Sequence, residues 1–370
     1  MARIAVAVIA LTLAGVSLAA APELRAGTAG CQDAKTALAD AKQKLRKAKK
    51  ALKEAETPRA KEKAKNRLKK ARDRLRDAEE AAAEACTGEV RFMVIGAQGK
   101  GNTGQAEVGA AMDTVCEESG CDYIIGLGNN IYDSGVTSTS DDQFMSKFET
   151  PYAGNDVKFW LGLGNHDYGG NGAGTEPAKA QVQIDYTEVS PSGKWKMPDR
   201  YYRRTDGPVE FFTLDTNPLM FGDDDDQETD ISTWVANSDA EWKIALGLHG
   251  YRSNGPHGNA GDYDGTFIPP ADGTNVKDFI EDNICGEADV YFSAHDHSLQ
   301  WPEQDATNCP GTELIVSGTA AASSELEGDN PTHFESLALG FAYVVIEGSQ
   351  MTVDFIDADG ALLFTRTITK

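Results

Sequence analysis

Five short polar segments, each directly following a short apolar run, constrain the fold of this 370-residue chain more than any other feature. The segments are Gly96-Ala97, Gly128-Asn129-Asn130-Ile131-Tyr132, Gly164-Asn165-His166-Asp167, Gly247-Leu248-His249 and Ala294-His295-Asp296-His297. Open α/β folds collect their ligand-binding groups at the carboxyl ends of strands. The pattern therefore predicts one site that is assembled from the ends of several strands.

The apolar runs alternate with turns and with helical stretches along the second part of the chain. Strands are predicted over 91–96, 123–128, 158–164, 209–215, 242–248, 288–293, 313–316, 342–346, 352–356 and 362–369. Helices are predicted over 105–116, 143–149 and 275–285. This order of elements predicts two mixed sheets with helices on the outside.

Residues 32–86 have a different composition, rich in Ala, Lys, Glu and Arg, which are strong helix formers. Leu and Ala recur at alternating spacings of three and four residues on both sides of Thr57-Pro58. Thr57 suits an N-cap and Pro58 suits the first helical position. The sequence therefore predicts an antiparallel coiled-coil helical hairpin over 31–86.

Charge divides the chain sharply at the end of this hairpin. Residues 31–86 hold 18 Lys/Arg and 10 Asp/Glu, a net charge of +8, whereas the whole chain carries −23. The first 30 residues add +1, so the remainder carries −32. Because no aromatic residues are interleaved with the basic ones, we expect no nucleic-acid partner. The hairpin partner is unknown, and a spacer, a docking arm for an acidic partner or wall polymer, a brace and a solvated stalk all remain open.

Residues 1–21 resemble a secretory signal peptide, with Arg3, an apolar stretch and a small-residue cleavage site. No later segment is apolar enough for a membrane span. We expect an exported protein, periplasmic or extracellular. Six cysteines in such a compartment predict disulfides. Proximity in sequence favours the pairs Cys116 with Cys121 and Cys285 with Cys309, which leaves Cys31 with Cys86.

The five polar segments resemble those of the calcineurin-like metallophosphoesterases, specifically the purple (tartrate-resistant) acid phosphatases. That family reads GD, GDxxY, GNHD, GHH and GHDH at the corresponding points. The resemblance covers nearly all of residues 90–370. It implies an α/β fold, a four-layer αββα metallophosphoesterase sandwich, here preceded by the α-helical hairpin.

The resemblance also implies a dinuclear metal centre, Fe with Fe, Zn or Mn, that hydrolyses a phosphomonoester or phosphate-like small molecule. The ligands implied for the first metal are positions 97 and 129, Tyr132 and His297. Those implied for the second metal are position 129, Asn165, position 248 and His295. His166 and His257 are implied to lie beside the phosphate as charge stabiliser and leaving-group acid.

Three of these ligand positions depart from the family pattern, since they hold Ala97, Asn129 and Leu248. Hard, highly charged cations bind anionic oxygen ligands best, and both carboxylates are missing. We expect metal binding to be weak, partial or absent, although a register shift that turns His249 inward would compensate in part. Three functions stay open: a phosphatase scaffold impaired or inactive in hydrolysis, an active acid phosphatase with a rearranged or mononuclear site, and a non-enzymatic binding or scaffold protein that works through its basic hairpin.

Overall fold

The structure is a computed structural model that describes residues 29–53, 57–85, 89–222, 224–266, 268 and 270–370. The predicted signal peptide over 1–21 and the predicted pairing of Cys31 with Cys86 lie outside the residues and side chains that it describes. The other two predicted disulfides, Cys116–Cys121 and Cys285–Cys309, are confirmed.

Two seven-stranded sheets form the centre of the main domain. The strands of the first sheet are β1 (Glu89–Ile95), β2 (Tyr123–Gly126), β3 (Lys158–Leu161), β4 (Trp195–Lys196), β12 (Gly340–Glu347), β13 (Gln350–Asp357) and β14 (Leu362–Thr369). The strands of the second sheet are β5 (Tyr202–Asp206), β6 (Val209–Thr213), β7 (Trp242–Leu246), β8 (Val290–Ser293), β9 (Leu299–Pro302), β10 (Glu313–Ser317) and β11 (Thr332–Ser336).

Each sheet contains a parallel block flanked by antiparallel strands. The first sheet has the order β14-β13-β12-β1-β2-β3-β4, with β1 to β4 parallel. The second sheet has the order β11-β9-β10-β8-β7-β6-β5, with β6, β7, β8 and β10 parallel. The carboxyl ends of the parallel strands thus meet at one edge of each sheet.

Side-chain alternation along β1 explains how the layers pack. Phe92 and Val94 belong to the core between the two sheets, whereas Met93 and Ile95 belong to a second core on the outer face. Successive side chains of a strand point to opposite faces, so one buried strand supplies two cores. A third core covers the outer face of the second sheet.

Helices cover both outer faces and complete the four layers. The main-domain helices are α3 (Thr103–Ser119), α4 (Ala178–Val189), α5 (Thr216–Met220), α6 (Asp225–Ala236) and α7 (Thr274–Asn283). Side chains of α3 and α4 belong to the core on the first sheet, and those of α5, α6 and α7 to the core on the second. The predicted αββα sandwich is confirmed.

Two helices, α1 (Ala29–Lys53) and α2 (Pro58–Ala85), precede the sandwich and contact each other. Ala48 and Ala71 are buried and line one groove with side chains of both helices. The predicted N-cap is present, because the Ala60 amide donates to Thr57 Oγ1 at 3.2 Å. The antiparallel coiled-coil arrangement stays a prediction. Among the helices of the described segments, none has the length and apolar character that crossing a bilayer requires.

The predicted strands that precede the polar segments all exist, but most end two or three residues earlier than expected. β3 ends at Leu161 and β7 at Leu246, so Gly164 and Leu248 lie in loops. The helix predicted over 143–149 is a short π-helix, Met145–Glu149. Because these strands end early, the loops that follow them are long enough to bring their side chains together in one site.

Candidate functional site

The loops that follow β1, β2, β3, β7 and β8 come together where the two sheets meet. Tyr132 Oη, after β2, lies 3.0 Å from His297 Nε2, after β8. The His249 ring, after β7, lies 4.6 Å from the His295 ring. The structure therefore brings the predicted site residues from both sheets into one region.

Position 97 keeps a backbone conformation that its side chain does not favour. Ala97 is fully buried and has φ of 54°, in the left-handed region, and Asn129 has φ of 58°. Asn and Asp tolerate this region because their short polar side chains bond locally, whereas for Ala it costs about 1–2 kcal/mol. The loop after β1 thus has a geometry suited to Asp, Asn or Gly, but the methyl group of Ala97 offers no lone pair.

The Asn129 amide makes two hydrogen bonds within the protein. Its Oδ1 accepts from the His166 backbone N–H at 3.0 Å, and its Nδ2 donates to Tyr132 Oη at 3.1 Å. The side chain is 1% exposed. The nitrogen therefore presents hydrogen atoms, rather than a lone pair, toward the tyrosine oxygen.

Tyr132 and His297 continue this hydrogen-bonded chain. Burial raises the pKa of the Tyr132 phenol, so the neutral phenol is favoured over the tyrosinate. Burial, with the nearby Lys100 and histidine charges, lowers the pKa of His297 to about 4. These shifts favour a neutral imidazole that accepts a hydrogen bond from a neutral phenol.

Leu248 fills space beside the Asn129 amide. It is fully buried and belongs to the core between the sheets. A Cβ placed on Gly164 would lie 2.6 Å from Leu248 Cδ2 and 2.4 Å from Asn129 Oδ1. The leucine methyl and the amide oxygen therefore lie against the same point of the Gly164 backbone.

His249 lies inside the site but does not take the place of Leu248. It is 2% exposed, and its Nδ1 lies 2.7 Å from Thr216 Oγ1, which also accepts the His249 backbone N–H at 3.2 Å. Burial lowers the pKa of His249 to about 3, so the ring is neutral. Its position beside His295 leaves the compensating role of His249 a prediction.

His295 lies at the centre of a cluster of imidazoles. The His257 ring stacks on it at 3.9 Å, and His257 Nδ1 lies 2.8 Å from Asp264 Oδ1. His295 Nδ1 is buried without a hydrogen-bond partner among the described residues. Asn165 Oδ1 is likewise buried and unpartnered, although Asn165 Nδ2 donates to the Gly172 carbonyl at 2.8 Å. These two atoms offer lone pairs to a ligand.

Two carboxylates of the polar segments hold the loops rather than facing a ligand. Asp167 is fully buried and accepts hydrogen bonds from the backbone N–H groups of Asn130, Ile131 and Gly164. Asp296 accepts the His257 backbone N–H at 2.9 Å. Burial raises the pKa of both carboxyl groups, to about 6 for Asp167.

A cleft of about 540 Å³ opens beside the imidazole cluster. It is lined on one side by Asn165 and by four histidines, namely His166, His249, His257 and His295. Met220 and Phe221 line it on another side, and Phe221 is 46% exposed. His166 Nδ1 lies 2.6 Å from the Asp133 carbonyl, so Nδ1 donates and Nε2 keeps its lone pair.

Residues 97–299, more than half of the chain, match the family model of the calcineurin-like phosphoesterases. The chain belongs to the calcineurin-like phosphoesterase family. Members of this family act on phosphate substrates and are known for dinuclear metal sites.

Sequence relatives of this calcineurin-like phosphoesterase include purple acid phosphatases, as its polar segments predict. Purple acid phosphatase 7 of Arabidopsis thaliana is 28% identical, over 76% of this chain and 87% of the relative. Tartrate-resistant acid phosphatase type 5 of Sus scrofa is 29% identical, over 69% of this chain and 77% of the relative.

A solved structure with the same fold is GAP50, the anchor in the inner membrane complex of Plasmodium. The TM-score is 0.59 at 18% identity, with 76% of this chain and 89% of that chain covered. This likeness supports the αββα fold of the phosphoesterase and carries nothing further about function.

Sequence reasoning missed three features of the phosphoesterase site. Lys100 lies in the loop after β1, with Nζ 4.0 Å from the centre of the Tyr132 ring. Thr216 holds His249, and the Met220–Phe221 side of the cleft is apolar. Lys100 had a signal in the sequence, because it follows Gly96-Ala97 closely. Thr216, Met220 and Phe221 lie in and directly after the short helix that follows β6, where the sequence shows no motif.

Proposed function

We propose that this phosphoesterase is an exported, purple-acid-phosphatase-like protein whose cleft still recognises phosphomonoesters or phosphate but whose hydrolysis is lost or strongly impaired. The observation that carries the proposal is the environment of Asn129. Its amide is bonded to His166 and Tyr132, and the Leu248 methyl lies beside it.

The side chains at the metal-ligand positions support this proposal, because they lack the donor atoms that a pair of metal ions requires. A bridging position needs an anionic oxygen, whereas Asn129 is neutral and one of the two lone pairs of its oxygen already accepts the His166 N–H. Leu248 and Ala97 contribute no donor atom. Within the described ranges, no three His, Cys, Asp or Glu side chains are grouped so that they could hold a metal ion. We infer that these residues do not fit a dinuclear metal centre.

The residues that remain are suited to binding rather than to turnover. His166, His257 and Asn165 line the cleft, and each holds a fixed orientation through a hydrogen bond to Asp133, Asp264 or Gly172. The Nε2 lone pair of His166 accepts from the P–OH of a monoprotonated phosphate, and the second hydrogen of Asn165 Nδ2 donates to a phosphate oxygen. Binding of the substrate therefore does not require the metal ions, whereas its hydrolysis does.

Hydrolysis of an aryl phosphate tests the proposal. The purified chain supplied with iron and zinc should turn over at least ~100-fold more slowly than the variant carrying Ala97→Asp, Asn129→Asp and Leu248→His together. Turnover of the unaltered chain equal to that of the variant, abolished by His297→Ala, would contradict the proposal. Turnover that survives both His166→Ala and His297→Ala would belong to a contaminant.

A mononuclear site is the second candidate, favoured by the two unpartnered lone-pair atoms of Asn165 and His295 with His249 nearby. A single divalent ion bound there would give an active enzyme with a rearranged centre. Elemental analysis should then find one ion per chain, lost in His295→Ala. Absence of bound metal in the unaltered chain would exclude this candidate.

A binding role for the N-terminal helices is the third candidate, favoured by a groove of about 320 Å³ that both helices line. The basic residues of this groove are Lys44, Lys47, Arg67, Lys70 and Arg74. We propose an acidic partner, and export is supported by the two disulfides. Exchange of the five residues for Gln should abolish retention of poly-L-glutamate at low ionic strength. Exchange of Lys61, Lys63 and Lys65, exposed on the same α2 helix, serves as the control.

A further inference from the structure

The loop after β1 places a positive charge beside Tyr132. Lys100 is half-buried, and its ammonium lies 4.0 Å from the centre of the Tyr132 ring. A cation over the face of an aromatic ring is stabilised by the ring quadrupole. Among the described residues, Lys100 Nζ has no hydrogen bond and no ion pair, which leaves the donors of the ammonium available to a ligand.

The surroundings of this ammonium are the residues that the family resemblance assigns to the first metal and to the phosphate. The Tyr132 ring lies 4.2 Å from the His166 ring and 6.1 Å from the His297 ring. Lys100, His166 and His297 therefore surround a single tyrosine. A monovalent side-chain cation thus lies beside the place where the family pattern puts a metal cation.

Among the described residues, no carboxylate forms an ion pair with Lys100. Asp167 and Asp296 are both engaged by backbone N–H groups. Asp133 is exposed and attracts Lys100 only at a distance, without forming an ion pair. A half-buried cation without a counter-ion is unfavourable unless a ligand supplies the negative charge.

We propose that a phosphate or phosphomonoester oxyanion binds beside Tyr132 without any metal ion, with Lys100 as the cation that receives it and with His166 linking this position to the cleft. The inference rests on the proposed function, since it names the group that keeps phosphate recognition when the metal ligands are lost. Lys100 thereby takes over the charge-neutralising part of the metals' role, while their activation of water has no replacement.

Calorimetric titration with inorganic phosphate tests this, using the full chain after treatment with a chelator and dialysis. The unaltered protein should bind one phosphate, and Lys100→Met should weaken binding by about 10- to 100-fold, as expected when a charge-assisted hydrogen bond is lost. Lys100→Arg should restore most of the affinity. Lys158→Met, at an exposed position of β3, should bind as the unaltered protein does.

Two results would overturn the inference: no phosphate binding by the chelator-treated protein, or equal affinity of Lys100→Met and the unaltered chain. Lys100→Gln provides a second variant if Lys100→Met does not fold, as judged by its thermal transition. Failure of the proposed function is separable, because it would appear as aryl phosphate turnover by the metal-supplied protein, whatever the phosphate titration gives.

Discussion

Asn129 makes two hydrogen bonds that a carboxylate would make differently. The amide donates to Tyr132 Oη, and the phenol is then free to donate to His297 Nε2. An Asp at this position would accept the hydrogen bond of the phenol instead, and His297 Nε2 would then have to donate to the phenol oxygen. Exchange of one oxygen for one nitrogen thus changes the direction of the whole chain of hydrogen bonds. The chain Asn129–Tyr132–His297 is thus satisfied by hydrogen bonds within the protein.

A second buried group near the site gives a prediction about pH. Asp215 is fully buried, accepts from Tyr168 and lies 3.3 Å from Arg200 Nη1, which also pairs with Asp224. Burial raises the pKa of Asp215 from 3.8 to about 7. Between these two values the folded chain holds a proton that the unfolded chain lacks. Its contribution to stability is therefore present at low pH and lost as pH rises through about 7.

The unfolding free energies of the unaltered chain and of Asp215→Asn measure this contribution. As pH falls from about 8 to about 5, the unaltered chain should gain ~1–3 kcal/mol relative to Asp215→Asn. Urea unfolding at several pH values checks the difference. A difference that is constant with pH, or that grows toward alkaline pH, would show that Asp215 is ionised throughout.

At the scale of elements, Asp167 fastens the loop after β3 to the loop after β2. Its carboxylate accepts three backbone N–H groups and the side-chain amides of Asn130 and Gln183. An Asn at position 167 has one acceptor oxygen and would leave buried donors unpaired. Asp167→Asn should therefore lower the unfolding free energy by ~2–4 kcal/mol.

Denaturant unfolding at neutral pH measures the effect of Asp167→Asn. The exposed Asp133→Asn, also in a site loop, is the matched control and should change stability by less than about 0.5 kcal/mol. Equal stability of Asp167→Asn and the unaltered chain would mean that the two loops are held by other contacts.

The strands of the sheet centres were predictable, while several other elements were not. β1 alternates between two cores, so all of its central side chains are apolar and the run is conspicuous. The edge strands β5 and β11 bury few side chains, and their sequences read as polar loops. Helix α4 buries only Ala180, Gln183 and Tyr186, so it has no apolar stripe that periodicity could detect.

The positions of His166, His249 and His295 were predictable because each follows shortly after a conspicuous strand, whereas His257 was assigned through the family resemblance. The convergence of Asn165, His166, His257 and His295 on one cleft follows from strand ends that meet at one edge. The position of Lys100 over Tyr132 was not predictable, because it depends on the rotamer of a long side chain between two loops. The Thr216–His249 contact likewise joins loops that no local pattern connects.

At the scale of the whole molecule, the three hydrophobic cores formed by the described residues lie in the sandwich. Within the described ranges, the three clusters draw their residues from 90–368, and neither α1 nor α2 contributes to them. The domain boundary near residue 90 stays a prediction. We therefore expect the chain shortened to residues 89–370 to fold on its own.

Thermal unfolding of the shortened chain checks this expectation. Its midpoint should lie within ~3 °C of that of the whole chain at about 0.15 M salt, where the extra negative charge is screened. The far-ultraviolet helical signal should fall by the share of α1 and α2. Loss of the cooperative transition would mean that the N-terminal helices are part of the folding unit.

The proposed loss of hydrolysis depends most on the inability of this phosphoesterase site to hold two adjacent cations. Metal content per chain, measured by elemental analysis after refolding with iron and zinc and exhaustive dialysis, tests it most directly. We expect well under one ion per chain in the unaltered protein, and about two in the variant with Ala97→Asp, Asn129→Asp and Leu248→His. Two ions per chain in the unaltered protein would contradict the account.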